Sequence, residues 1–193
     1  MYPVVIAIEH FNSCVDRVKE DNEIRARLAR DDPSALDLIW DLYASDLLGY
    51  LVGILCSRND AKDALQDVFV TISKKRTAVS NAKQLKPYLF RMSRNVALNR
   101  IKSDKRRHDK HLAAPQWLEL NEEGGTRDER TDQIEAALVE LPENQRSVVI
   151  MKFYREISFR EIGEILKLPE NTAASRYRYG MAKLKQLLQE ISQ

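Results

Sequence analysis

Asn171, Thr172, Ser175, Arg176, Arg178 and Tyr179 lie within nine consecutive positions, in a stretch that has no acidic residue between Glu170 and Glu190. Their chemistry suits nucleic acid. The guanidinium fork of Arg fits a guanine edge or a phosphate, the Asn amide fits adenine, and Ser and Thr hydroxyls bond to either. On a helix opening near Pro169 these side chains point outward, because Ala173, Tyr177, Gly180 and Leu184 recur at spacings of four, three and four as the inward face. The small Ala173 and Gly180 let that face pack closely.

What must position such a helix is written just upstream. Ser158 and Glu161 form a capping box ahead of Ile162, Ile165 and Leu166, and Lys167 to Pro169 make a turn. The pattern is a helix-turn-helix, whose second helix enters the major groove when it binds DNA. Bundles that bind no DNA carry the same spacing, so the segment alone leaves a solvated helix open as a reading. Before it, Ile134, Leu138 and Leu141 mark a helix that stops at Pro142. A further helix restarts there, with Val148, Val149, Met151 and Phe153 as expected core.

A second polar set, Asp63, Gln66 and Asp67, falls opposite a stripe of Ala61, Ala64, Leu65, Val68, Phe69 and Ile72 on a helix that Asn59 or Asp60 can cap. The helix before it begins at Asp32-Pro33 and should bury Leu36, Ile39, Trp40, Tyr43, Leu47, Leu48, Leu51 and Leu55. Residues 76–86 lose the period and read as a loop. A helix from about Pro87 should bury Leu89, Met92, Val96 and Ile101, leaving Arg91, Arg94, Asn95, Asn99 and Lys102 on other faces.

Composition agrees with an all-α chain: 193 residues, 44% apolar and 31% charged, with 6 Gly and 6 Pro. The net charge of +2 is uninformative, but the charge is segregated into basic runs at 100–111 and 175–185 and an acidic run at 119–132. Residues from about 105 to 130 are polar, hold Pro115 and Gly124-Gly125, and read as a flexible linker with one apolar group, Trp117, Leu118 and Leu120. Cys14 and Cys56 are too few for a disulfide framework or a cysteine-based zinc site, and His108 and His111 lack further ligands. No metal or other cofactor is expected. There is no phosphate-cradling loop or nucleophile elbow. The apolar opening of the chain is too short to span a bilayer and runs quickly into charge, so a cytoplasmic protein without a membrane helix is expected.

Two blocks taken together carry a resemblance. Residues 141–188, beginning "LPENQRSVVIMKFYREISFREIGEI", look like the C-terminal promoter-binding domain of bacterial sigma-70-type factors. "DAKDALQDVFVTI" with "KPYLFRMSRNVALNRIKSDKRR" looks like their N-terminal core domain. In this order, over roughly Asp31 to Leu188, the chain resembles the extracytoplasmic-function (ECF) group. The resemblance implies residues 31–107 as a region 2-like domain, 108–130 as linker and 131–193 as a region 4-like helix-turn-helix domain. Residues 1–30 would be an extension or the start of the first helix.

It further implies a dissociable specificity subunit, not an enzyme, that binds core RNA polymerase through Asp63, Gln66 and Asp67. Tyr88, Arg91, Arg94, Asn95, Asn99, Lys102, Lys105, Arg106 and Arg107 would engage the −10 promoter element. Asn171, Thr172, Ser175, Arg176, Arg178 and Tyr179 would read the −35 element. An anti-sigma factor is a partner the family permits. Tyr88 stands where the family commonly has Trp, Asn99 replaces a usual acid, and Ala174 and Pro169 also depart from the pattern. A helix-turn-helix regulator acting without polymerase and a helical interaction adaptor are the rival readings.

Overall fold

The computed structural model describes residues 18–108, 129–154 and 157–191. Every regular element among them is a helix, as the composition led us to expect. After α1 (18–29) come α2 (Ser34–Leu55), α3 (Arg58–Lys74), α4 (Arg76–Ser80), α5 (Leu85–His108), α6 (Glu129–Val139), α7 (Glu143–Val149), α8 (Phe159–Leu166) and α9 (Glu170–Ile191). A π-helical turn, Ile150–Tyr154, follows α7. Most of the linker, with Trp117, Leu118 and Leu120, lies outside the described residues, as do Cys14, His111 and the side chains of Lys105, Arg106, Arg107 and His108.

The acid at Asp32 starts α2 by a different route from simple capping. Its carboxylate accepts from the backbone N–H of Ser34 at 2.9 Å and from the Ser34 hydroxyl at 2.7 Å, with Pro33 between them. These hydrogen bonds stabilise the charged form and lower its pKa. By length and composition α2 could cross a bilayer. Its Ile39, Tyr43, Leu47, Tyr50 and Leu51 are instead fully buried in the protein, each contributing about 1.5–3 kcal/mol of apolar burial.

Cys56 ends α2 in the left-handed region, φ 54°, which brings Ser57 rather than Asn59 or Asp60 to the cap of α3. The Ser57 hydroxyl accepts from the Asp60 N–H. The stretch read as a loop begins with the short helix α4, seated by fully buried Val79. A helix of one turn has too few residues to show a period. The helix α5 begins at Leu85, not Pro87, because a proline in the first helical turn removes an N–H that has no intrahelical partner.

α2, α3 and α5 pack on one another, and α1 closes the domain with buried Ile24 and Leu28. Arg25 on α1 donates to the carbonyls of Ala82 and Lys83, and Asp31 pairs with Arg76 at 2.6 Å. In the C-terminal half α6, α7 and α8 pack on α9. The two halves also pack directly. Ile150, Met151, Ile157, Ile162 and Ile165 join the same apolar cluster as Ile39, Leu51 and Leu89, and a smaller cluster of Ala137, Leu138, Leu141, Val149 and Leu184 lies on the far side of α7. The reading of two domains on a flexible tether did not anticipate this shared core. Phe153, expected in it, is 60% exposed: the wider π turn shifts the register, so Ile150 and Met151 face inward and Phe153 outward.

Candidate functional site

The helix-turn-helix is built as its sequence specifies. Ser158 Oγ accepts from the Glu161 N–H, and the Glu161 carboxylate accepts from the Ser158 N–H at 2.9 Å, completing the capping box. Lys167 closes α8 in the left-handed region, φ 55°, and its N–H and that of Leu168 both bond to the Gly163 carbonyl. A β-carbon on Gly163 would lie 2.7 Å from the Leu168 carbonyl oxygen, so only glycine fits under this turn. Ala173 is fully buried, Tyr177 packs edge-on against Phe159 at 5.6 Å, and Gly180 sits against Val149.

The opposite face of α9 carries the candidate reading set, with Arg176 at its edge, three residues from Ala173. Asn171, Arg178 and Tyr179 are exposed, Tyr179 by 69%, while Thr172, Ser175 and Arg176 are half-buried. The Ser175 hydroxyl donates to the Thr172 carbonyl at 3.0 Å. A large exposed tyrosine next to Arg178 and three residues after Arg176 gives this face stacking as well as ionic capacity.

On α3, Asp63, Gln66 and Asp67 are exposed together on one face. Three features there escaped the sequence reading. Val70 continues the same face at helical spacing and is 51% exposed, a signal the register already contained. Beside it Phe69 packs against Trp40 of α2, ring centroids 5.0 Å apart, and Trp40, expected in the core, is 51% exposed. On the other flank Arg100 of α5 donates to Asp67 and stands 3.9 Å from Asp63. Trp40 and Arg100 belong to other helices, so spacing within α3 could not reveal them.

The set on α5 divides. Tyr88, Arg91, Asn95, Asn99 and Lys102 lie along one stripe; the guanidinium of Arg91 covers the Tyr88 ring at 5.1 Å, and Asn95, Asn99 and Lys102 are exposed. Arg94 leaves the stripe. Its Nη2 donates to Glu143 of α7 at 3.0 and 3.2 Å. Among the described residues no group of three or more His, Cys, Asp or Glu is placed to hold a metal.

Comparison with known proteins places both halves. Residues 39–107 match the model of Sigma-70 region 2, and residues 137–186 match that of Sigma-70, region 4. The chain is 24% identical over 177 residues to the ECF RNA polymerase sigma factor SigW of Bacillus subtilis, spanning 86% of this chain and 95% of that one. It is 22% identical over 185 residues to the RNA polymerase sigma-H factor of Pseudomonas aeruginosa, across 90% and 96%. Among solved structures its fold resembles the sigma factor RpoE of Bartonella quintana in complex with the anti-sigma factor NepR. There the TM-score is 0.70 at 18% identity, covering 81% of this chain and 98% of that one. It also resembles CnrH in complex with the cytosolic domain of CnrY, with a TM-score of 0.69 at 18% identity across 89% and 98%.

Proposed function

The chain belongs to the extracytoplasmic-function group of the sigma-70 family, and from that premise we propose how its surfaces divide the work. It is an alternative sigma factor: it binds core RNA polymerase and directs it to promoters for initiation. Sigma factors are polymerase subunits without a catalytic site of their own. In this reading the chain makes and breaks no bond in DNA, and it acts in the cytoplasm, where polymerase and chromosome are.

The polymerase contact is the face of Asp63, Gln66 and Asp67, extended by Val70 and the Trp40–Phe69 pair. Acids around a half-exposed apolar centre suit a basic amphipathic partner, because charge steers the encounter and aromatic burial holds the complex. The −10 contact is the α5 stripe of Tyr88, Arg91, Asn95, Asn99 and Lys102, joined by Arg94, Lys105, Arg106 and Arg107. Unpaired bases offer faces to stack on Tyr88 and edges to the Asn amides, while the cations hold phosphates. Melting is driven by the binding energy of bases and phosphates that become accessible only in open strands.

The −35 contact is the outward face of α9. The observation that carries the reading is its register: Asn171, Thr172, Ser175, Arg178 and Tyr179 point away from the buried Ala173, Gly180 and Leu184, with half-buried Arg176 at the flank of that face. In domain terms residues 31–107 serve polymerase and the −10 element, 108–130 connect, and 131–193 serve the −35 element. An anti-sigma factor is a further proposed partner, since RpoE and CnrH are both described in complex with proteins of this kind or their domains.

The test is capture of core RNA polymerase followed by run-off transcription on genomic fragments. Promoter-dependent transcripts are expected, and Asp63→Arg with Asp67→Arg should abolish capture while helix content is retained. Failure to bind polymerase would sink the assignment; binding without promoter-dependent transcripts would leave an adaptor.

A further inference from the structure

Arg25 of α1 reaches across to the loop between α4 and α5. Its Nη1 donates to the carbonyls of Ala82 and Lys83, at 2.9 and 3.2 Å. The rest of the guanidinium is held by its own helix: Nε donates to the Asp21 carbonyl at 3.2 Å and Nη2 to Asn22 Oδ1 at 2.9 Å. A planar fork already engaged on two sides loses little further freedom when its remaining corner binds. Helix α1 is itself anchored from behind, because the buried Tyr43 hydroxyl of α2 donates to the Asp21 carboxylate.

A second tie runs the other way. Arg76, the first residue of α4, donates from Nη1 to the carbonyl and the carboxylate of Asp31, at 3.1 and 2.6 Å. Asp31 lies in the turn after α1 with φ 58°, in the left-handed region that residues with a β-carbon seldom occupy and that persists where the surroundings fix it. Between them the two ties bracket residues 76–83. At the end of that segment Ala82 is buried, while Asn81, Lys83 and Gln84 are exposed. A polar surface loop of this kind is ordinarily mobile. Pinning two of its carbonyls from a helix 57 and 58 positions away is not needed to seat α5, since Leu85 and Leu89 are already fully buried.

Gln84 ends the loop one turn before Tyr88, so the stripe of Tyr88, Arg91, Asn95, Asn99 and Lys102 continues back onto it at helical spacing. We propose that Arg25 is a positioning residue for the −10 contact: its fork fixes the backbone at Ala82 and Lys83 and so presents Gln84 and the start of α5 already ordered to the separated strand. This role rests on the assignment of the Tyr88 stripe to that element. Arg25 itself touches no DNA. Ordering a free loop at the moment of binding would draw on the same energy that opens the duplex, and a loop fixed beforehand avoids that loss. Both Arg25 and Asp31 lie ahead of residues 39–107, which match Sigma-70 region 2, so the ties come from a part of the chain that the family match does not cover.

The test uses holoenzyme assembled from core RNA polymerase and the full chain, on a promoter fragment found by run-off transcription. Arg25→Ala should slow strand opening, read as permanganate reactivity of unpaired thymines, roughly tenfold, the loss expected when about one residue is left to order on binding. Amide hydrogen exchange should quicken at residues 81–85 and stay unchanged in α3 and α9, while polymerase capture and duplex binding match the wild type. Arg25→Lys keeps the charge but cannot bridge both carbonyls while bonding Asn22, and should recover only part of the rate. Tyr88→Ala reports on the α5 stripe independently. If Tyr88→Ala slows opening and Arg25→Ala does not, Arg25 has no part in it; if neither does, the −10 assignment of the stripe falls and the proposal with it. Full recovery with Arg25→Lys would assign the effect to charge alone and overturn the clasp. Equal loss of capture and opening in Arg25→Ala would overturn it too, leaving Arg25 a structural role.

Discussion

Arg100 on α5 pairs with Asp67 on α3 and stands 3.9 Å from Asp63, so the two acids assigned to polymerase already share an internal cation. The pair is open to solvent, with the Asp67 side chain 55% exposed, and exposed pairs of this kind contribute about 0–1 kcal/mol. Its larger effect is on the field that a partner meets. Arg100→Ala should leave stability within about 1 kcal/mol and make polymerase capture more sensitive to salt, because more uncompensated negative charge faces the partner. Capture measured across a salt series decides it, and an unchanged slope would refute the role given to Arg100.

Trp40 tests the apolar centre of the same face. Since its ring is half exposed, Trp40→Ala should reduce thermal stability only modestly, yet weaken polymerase binding by about tenfold or more, as buried aromatic anchors do at interfaces. Loss of stability without loss of binding would return Trp40 to a purely structural role.

The helix-turn-helix turn holds one residue that must be glycine and one that would gain from it. Gly163→Ala drives a methyl into the Leu168 carbonyl and should cost about 1–3 kcal/mol. Lys167→Gly relieves the left-handed backbone at φ 55° and should stabilise the chain by about 0.5–1 kcal/mol, the strain relieved less the added chain entropy. Denaturant midpoints of the two variants should move in opposite directions.

Tyr50 predicts a response to alkaline pH. Burial, the main cause, raises its pKa above the ordinary 10.0, against smaller effects of Ser147 and Arg94, while Glu143 adds to the rise. The folded state therefore favours the neutral phenol. That stability is fully present below 10.0 and is lost as pH rises through the folded value. Tyr50→Phe should flatten the alkaline loss and cost little at neutral pH, because the contact of its hydroxyl with Ser147 falls short of good hydrogen-bond geometry. A large neutral-pH destabilisation would show that the hydroxyl is satisfied in solution.

Arg178 is exposed on the outward face of α9, and Arg178→Ala should lower the salt dependence of promoter-duplex binding by about one ion while sparing polymerase capture. Arg176, half-buried, should show a smaller change in slope. Equal loss of both activities would argue against separate surfaces.

What the sequence made legible follows from period and capping. The α9 register, the Ser158–Glu161 box, the turn at Lys167 and the exposed face of α3 are all local, and each was readable because a helix fixes the direction of its side chains. Trp40 was misplaced because its spacing fits the α2 stripe, whereas its exposure depends on where Phe69 of α3 arrives. Phe153 was misplaced because periodicity assumes an unbroken α-helix and Ile150–Tyr154 is wider. The contacts of Arg94 and Arg100 join residues 49 and 33 positions apart, a separation at which no pattern in one helix speaks.

The apolar cluster shared between α2, α5 and the C-terminal half has a consequence for the lifetime of the protein in a cell. Separating the halves uncovers Ile150, Met151 and their counterparts on α2, a surface of the kind that chaperones and proteases recognise. A core enzyme that covered this surface would protect it, and the amount of this factor that survives should then follow the amount of core enzyme free to receive it.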